Sequence, residues 1–262
     1  TRTDIINELV GRGYEAFAIE CTKNGVILEG IHVINKNSNL NPVIYTQPFI
    51  DSAEKENLSL NEVVEEILKL IKESENKSID VDKLLSREFL EEHLFVAFFK
   101  HVEKNTLFKD TEFDGIKSIL MIRFDLDGHS SVKVNKGILE TAGVSEEEAW
   151  EIAERNTLND TVVTSMSELF GLPGTKPMYV ITNKNKLYGA SAVLNKTELA
   201  KIADDYHVKK LFLIPSSIHE MIAIPCIYEE YMDELNAMIN EVNEREVEPC
   251  EQLADRAFIV EI

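Results

Sequence analysis

A chain of 262 residues with 44% apolar residues can bury one large or two small cores, which argues against disorder. Its 47 acidic side chains against 27 Lys and Arg leave a formal charge of -20, a field that repels phosphate and anionic lipid and favours a basic protein as partner over nucleic acid or membrane. No segment approaches the ~20 uninterrupted apolar residues of a membrane span, and the three cysteines, Cys21, Cys226 and Cys250, lack the number and spacing of a disulfide framework or zinc site and fit a reducing cytoplasm.

In chain order, "YEAFAIECTKNGVILEGIHVI" places Asn24-Gly25 between two β-rich runs, which predicts a hairpin over residues 14–34. "NPVIYTQPF" reads as a short strand between Pro42 and Pro48. "SLNEVVEEILKLIKES" repeats Val63, Val64, Ile67 and Ile71 at helical spacing and predicts an amphipathic helix. "REFLEEHLFVAFFKHVEKN" reads as a second helix with Phe95, Phe98, Phe99 and Val102 inward and His93 and His101 among its polar positions. A change of texture near Lys109 suggests an N-terminal lobe over 1–108 and a strand-richer lobe over 109–262.

In that second lobe "IKSILMIRFDL" alternates apolar and polar residues, and Asp127-Gly128 offers a turn into "SVKVN". Ser145 with Glu148 forms a capping-box signature that opens a helix burying Ala149, Trp150 and Ile152 or Ala153. "MYVITN" and "ASAVL" follow as strands, "NKTELAKIADDY" as a helix, and "LFLIP" and "HEMIAIP" as strands. The segment "YEEYMDELNAMINEVN" closes the pattern, with Tyr228, Tyr231, Leu235, Met238 and Val242 on one stripe. Residues 229–251 carry Glu229, Glu230, Asp233, Glu234, Glu241, Glu244, Glu246, Glu248 and Glu251 against only Arg245, a solvated face or a docking surface. The expected fold is α+β, a mainly antiparallel sheet built from strand-strand-helix units with helices packed on it.

The phrases "KNGVILEGIHV", "NPVIY", "AWEIAERNT", "MYVITNKNKLYGASAVL", "FLIPSSIHEMIAIP" and "INEVNEREVEP" together resemble a family of bacterial proteins, domain of unknown function 5688, over nearly the full chain. The resemblance implies a relative and brings no activity, cofactor or catalytic residue with it.

Three chemistries can be weighed from the residues. "MIRFDLDGH" resembles the first motif of haloacid-dehalogenase-type phosphatases, in which Asp125 would be the nucleophile and Asp127 the general acid/base beside Mg²⁺, and "YVITNK" resembles the second, with Thr182 holding a phosphate oxygen. His129 stands where threonine is usual and the late acidic motif is missing, so a hairpin turn accounts for Asp125 and Asp127 better. "IPSSIHEMIAIP" offers Ser216 or Ser217 with His219 and Glu220, the residue types of a nucleophile, a base and an orienting acid. On a strand, however, His219 and Glu220 point to opposite faces. A turn at "PSS" is expected instead, and Thr182, Asn183, Ser216, Ser217, His219 and Glu220 are the candidate lining of a binding pocket. Glu220, on a central strand covered on both sides, requires a hydrogen-bond donor, with Asn183 and the serine hydroxyls the first choices. The six histidines show no metal-binding spacing and no phosphate-binding glycine loop occurs, so neither a metal nor a cofactor is expected. The leading expectation is a non-enzymatic cytoplasmic module that binds another protein, and the alternative is the metal-dependent phosphohydrolase.

Overall fold

The computed structural model describes residues 1–34, 41–75, 80–124, 130–171 and 177–262, which divide into two compact units, Thr1–Asp82 and Lys83–Ile262. In the first unit, helix α1 (Arg2–Gly11) precedes strands β1 (Glu15–Lys23), β2 (Val26–Ile34) and β3 (Val43–Tyr45), followed by helices α2 (Gln47–Glu56) and α3 (Leu60–Glu75). β1 and β2 form the expected hairpin, with Lys23 opposite Val26. Asn24 and Gly25 both take positive φ (51° and 82°), the combination a two-residue turn between twisted strands requires. Ile31, Val33 and Ile44 of the sheet bury against Ile5 and Leu9 of α1 and against Val63, Val64, Ile67 and Ile71 of α3, so the stripe read from the sequence is the docked face.

The short helix α4 (Val81–Leu84) carries the boundary between units. It falls at 82/83 where the sequence suggested 108/109, because residues 87–99 pair and pack with elements further along the chain. "REFLEEHLFVAFFKH" is not one helix. α5 (Arg87–His93) stops at His93, and Leu94–Phe99 runs on as strand β4, all six residues buried. A strand buried on both faces has no alternation to distinguish it from a buried helix, and its run of Phe and Val favours the extended state.

β4 pairs antiparallel with β6 (Lys117–Phe124), while β5 (Phe108–Asp110) and β7 (Ser130–Lys133) also pair antiparallel with β6. After helices α6 (Lys136–Ala142) and α7 (Glu146–Asn159), a second sheet is built from β8 (Thr161–Ser165), β9 (Tyr179–Asn183), β10 (Lys210–Ser217), β11 (Glu220–Pro225) and β12 (Phe258–Glu261), in the order β12-β10-β11-β9-β8 and antiparallel throughout. Helix α8 (Met166–Phe170) follows β8, α9 (Lys196–Asp205) precedes β10, and α10 (Met232–Arg245) precedes β12.

The sequence left α1, α2, α4, β5, α6, β8, α8 and β12 unread, and "ASAVL" is a buried 3-10 turn over Gly189–Leu194 instead of a strand. α7 opens as expected, with Ser145 Oγ accepting from the Glu148 amide, and buries Ala149, Trp150, Ile152 and Ala153 together. The main core of this unit joins β4 and β6 to α7, to the 3-10 turn, to α9 and to one face of β10 and β11. The other face of that sheet, through Ile214, Ile222 and Ile224, meets Met232, Leu235 and Ile239 of α10. β11 is therefore a central strand covered on both sides, as its two apolar faces demand. The protein is an α+β fold with mainly antiparallel sheets.

Candidate functional site

The "IPSSIHEMIAIP" segment forms the β10–β11 hairpin, but "PSS" belongs to β10 and the turn follows it. Ser217 pairs with Glu220, the turn residues are Ile218 and His219, and the register shifts between Pro215 and Ser217. Pro215 cannot donate to the ladder, so an irregularity of pairing beside it is its natural place. Ile218 is fully buried and its amide donates to the Glu251 carbonyl (2.8 Å), which ties the turn to the segment after α10.

The six candidate residues come together here, and most of their polar atoms are committed to holding the turn. Thr182 Oγ1 donates to the His219 carbonyl (2.8 Å), and the Ser217 hydroxyl accepts from the His219 amide (3.0 Å). Ser216 Oγ donates to Glu220 Oε1 (3.3 Å), so a serine supplies the donor that half-buried Glu220 needs. Asn183 does not reach it. Its side chain closes the 183–187 loop, donating to the Leu187 carbonyl (2.8 Å) and accepting from the Leu187 amide (3.2 Å).

His219 is occupied at both nitrogens. The Tyr188 amide donates to Nδ1 (3.0 Å), which fixes the proton on Nε2 in the neutral ring, and Nε2 lies 3.3 Å from Glu251 Oε1. A ring held in this way orients a turn and lacks a free nitrogen to serve as a base. Tyr188 continues the contact to Phe99, with ring centroids 5.4 Å from His219 and 5.7 Å from Phe99. Gly189 sits against this cluster so closely that a Cβ would lie 2.6 Å from the Asn183 amide nitrogen and 2.8 Å from the His219 carbonyl oxygen. Glycine is required there for space alone.

Asp125 and Asp127 lie outside the described residues. The strands on either side of them pair as a hairpin, Phe124 opposite Ser130. β6 and β9 belong to different sheets and each pairs antiparallel with its neighbours, whereas the phosphatase arrangement sets those two strands side by side and parallel. No group of three or more metal-ligating side chains occurs among the described residues, and no helix among them is long and apolar enough to cross a membrane.

Two further features were not legible in the sequence. Arg123 of β6 stacks over the Phe95 ring (4.6 Å) and pairs with Asp160 at the end of α7 (2.9 Å), at the floor of a cleft of about 260 Å³ that Lys184, His93 and Asn156 also line. His93, the last residue of α5, is half-buried and stacks on Phe89 with ring centroids 3.9 Å apart. The second feature is the outer face of α10. The stripe Tyr228, Tyr231, Leu235, Met238 and Val242 does not dock as a unit: Met232, Leu235 and Ile239 turn to the sheet, and Tyr228, Tyr231, Met238 and Val242 remain 57%, 47%, 43% and 42% exposed. Around them Glu230, Asp233, Glu234, Glu241 and Glu244 are all exposed.

The chain matches the family model described as a family of unknown function (DUF5688) over residues 3–260. No curated protein and no solved structure matches it. With almost its whole length covered by that model, the chain belongs to the DUF5688 family.

Proposed function

We propose that the protein is a non-enzymatic, cytoplasmic binding module that docks a basic amphipathic segment of a partner protein on the outer face of α10. The observation that carries this reading is the exposed apolar stripe. Tyr231, Met238 and Val242, at i, i+7 and i+11, share one side of the helix, with Ile227 and Tyr228 just before it, and Ile227 is 67% exposed. An apolar strip of aromatic and methionine side chains rimmed by one sign of charge has the composition of an interface core and rim. The acids beside it select a partner carrying Lys or Arg around an apolar face of its own, and the charge of -20 over the whole chain steers such a partner in. Support against the phosphohydrolase alternative comes from the antiparallel, separate placement of β6 and β9 and from the engagement of Thr182 Oγ1 with the His219 carbonyl. Support for a reducing compartment comes from Cys21, Cys226 and Cys250, which form no disulfide among the described residues.

The test uses two labelled helical peptides of equal positive charge, one with an apolar Leu face and one with Ser in its place, titrated with the full chain and read by fluorescence anisotropy. Wild type should bind the Leu peptide, more weakly as salt rises, and the Ser peptide at least about tenfold less well, the equivalent of ~1.4 kcal/mol of apolar contact. Met238→Glu should remove the preference. Equal affinity for both peptides, indifference to Met238→Glu, or concentration-dependent self-association that this substitution abolishes would each overturn the reading, the last by assigning the face to a second copy.

A further inference from the structure

A cavity of about 330 Å³ opens between β4, β5, β6, α7 and the 3-10 turn, with Val96, Trp150, Leu158 and Leu194 as its apolar lining, Ser118 as a buried polar residue, and β5 and the residues after it as a polar side. Trp150 is 3% exposed, yet its indole Nε1–H has no hydrogen-bond partner among the described residues. A buried donor left in this state is costly, and native cores almost always supply an acceptor. Lys109 lies over the indole ring, 4.6 Å from its centroid, and reaches Glu154 at 3.6 Å. The other charges at the mouth also close in pairs, Asp110 with Lys117 and Glu112 with Lys196.

The geometry points to a binding site for a small, neutral aromatic or heteroaromatic molecule whose carbonyl-type oxygen accepts a hydrogen bond from the Trp150 indole. Each part of that class follows from the lining. The volume falls at the lower end of ligand pockets, and Val96, Trp150, Leu158 and Leu194 give it an apolar side opposite a polar rim that includes Thr111 and Ser118, so the ligand is small, with an apolar ring and a polar end. The lining charges Lys109, Asp110, Glu112 and Glu154 are each taken up in an ion pair, so none stands alone to recognise an ion and the ligand is neutral. An unsatisfied N–H on one lining residue, Trp150, and a hydroxyl on another, Ser118, ask for an acceptor. Lys109 is half-exposed and ion-paired to Glu154, so its flexible stem can swing aside and uncover the indole ring to the entering molecule. The site is independent of the α10 face and stands or falls without it.

Trp150 is the only tryptophan of the chain, so its fluorescence reports the cavity directly. The full chain is titrated with benzamide as the probe, and with benzylamine, which keeps the ring but replaces the acceptor with a cation. Benzamide should change the emission saturably, and benzylamine should not do so over the same range. Ser118→Ala should weaken benzamide roughly 3- to 10-fold if its hydroxyl shares the acceptor, and Leu158→Phe, which fills the cavity, should abolish saturation. Trp150→Phe removes the donor and the optical signal together, so its binding is followed by saturation-transfer NMR on the ligand, where the benzamide signal should be lost. An unsaturable response to benzamide, an equal response to benzylamine, or unchanged affinity in a Leu158→Phe protein with wild-type circular dichroism would overturn the assignment.

Discussion

At the scale of single residues, the hairpin and its neighbours show how a plausible catalytic vocabulary becomes structural grammar. Serine, histidine and glutamate within five residues invite a nucleophile-and-base reading, but geometry decides. His219 has one nitrogen taken by the Tyr188 amide and the other turned to Glu251, and the Ser217 hydroxyl accepts from the His219 amide. Tyr179 on the adjacent strand carries a testable consequence of its surroundings. Burial first, then its bond to Tyr206 (3.0 Å) and the nearby carboxylates of Asp205 and Glu168, push its phenol up to about 12. The unfolded chain would titrate Tyr179 near pH ~10. Between these values the folded state keeps a proton that the unfolded state has lost, so the stabilisation is complete below the unfolded value and is lost as pH rises through the folded one. Spectrophotometric titration near 295 nm should therefore show a late-ionising tyrosine that disappears in Tyr179→Phe. The urea midpoint of that variant should fall less steeply than wild type across the same alkaline window, and an identical alkaline slope would remove this group from the account.

At the scale of elements, strand β4 is where sequence reading and structure part most clearly, and the reason is physical. Hairpin β1–β2, helix α3 and helix α7 were legible because each leaves one face in solvent, and a local signal marks an end: Asn24-Gly25, the Val63 to Ile71 stripe, the Ser145 cap. β4 has no solvent face. Nor does it have a ladder partner on its second edge among the described residues, where it pairs with β6 alone. Side chains from distant sequence complete that edge: Thr157 Oγ1 accepts from the Val96 amide (2.9 Å), Ser191 Oγ donates to the Val96 carbonyl (2.5 Å), and Asn156 Nδ2 donates to the Leu94 carbonyl (2.9 Å). A buried sheet edge must be satisfied or it destabilises the fold, and here a helix and a 3-10 turn do so with hydroxyl and amide groups. Such a contract spans 61 and 95 residues and leaves no trace in local pattern. Thr157→Val keeps the shape but strands the Val96 N–H, and should cost about 1–3 kcal/mol in urea unfolding, whereas Thr157→Ser should recover most of it. A valine variant as stable as wild type would mean that the edge is satisfied in another way. The same reasoning explains α10: periodicity located the helix, but which of two overlapping apolar stripes docks was set by Ile214, Ile222 and Ile224 on strands that come earlier in the chain.

At the scale of the whole molecule, the two units keep separate hydrophobic cores. Eleven buried apolar residues, from Ile5 to Ile71, make up that of the first, while the second gathers residues from Leu90 to Val260. The difference in size has a thermodynamic meaning. A unit of 82 residues buries a smaller fraction of its chain than the longer second unit, and around 80 residues a single core contributes only ~3–5 kcal/mol. The first unit also contains no tryptophan, because the sole Trp150 lies on α7 in the core of the second. Two probes thus watch different parts of one chain: far-ultraviolet circular dichroism follows the helices and strands of both units, and tryptophan emission follows the second alone. In a urea titration the dichroism transition should begin at lower denaturant than the emission change, with a first phase assigned to the smaller unit. Substituting Ile67→Ala, which empties a fully buried position between α3 and its sheet, should shift that first phase to lower urea, by roughly 2–5 kcal/mol of destabilisation, and leave the emission midpoint where it was. If the two probes instead coincide, and Ile67→Ala moves both together, the units unfold as one cooperative body and the separation of their cores carries no energetic independence.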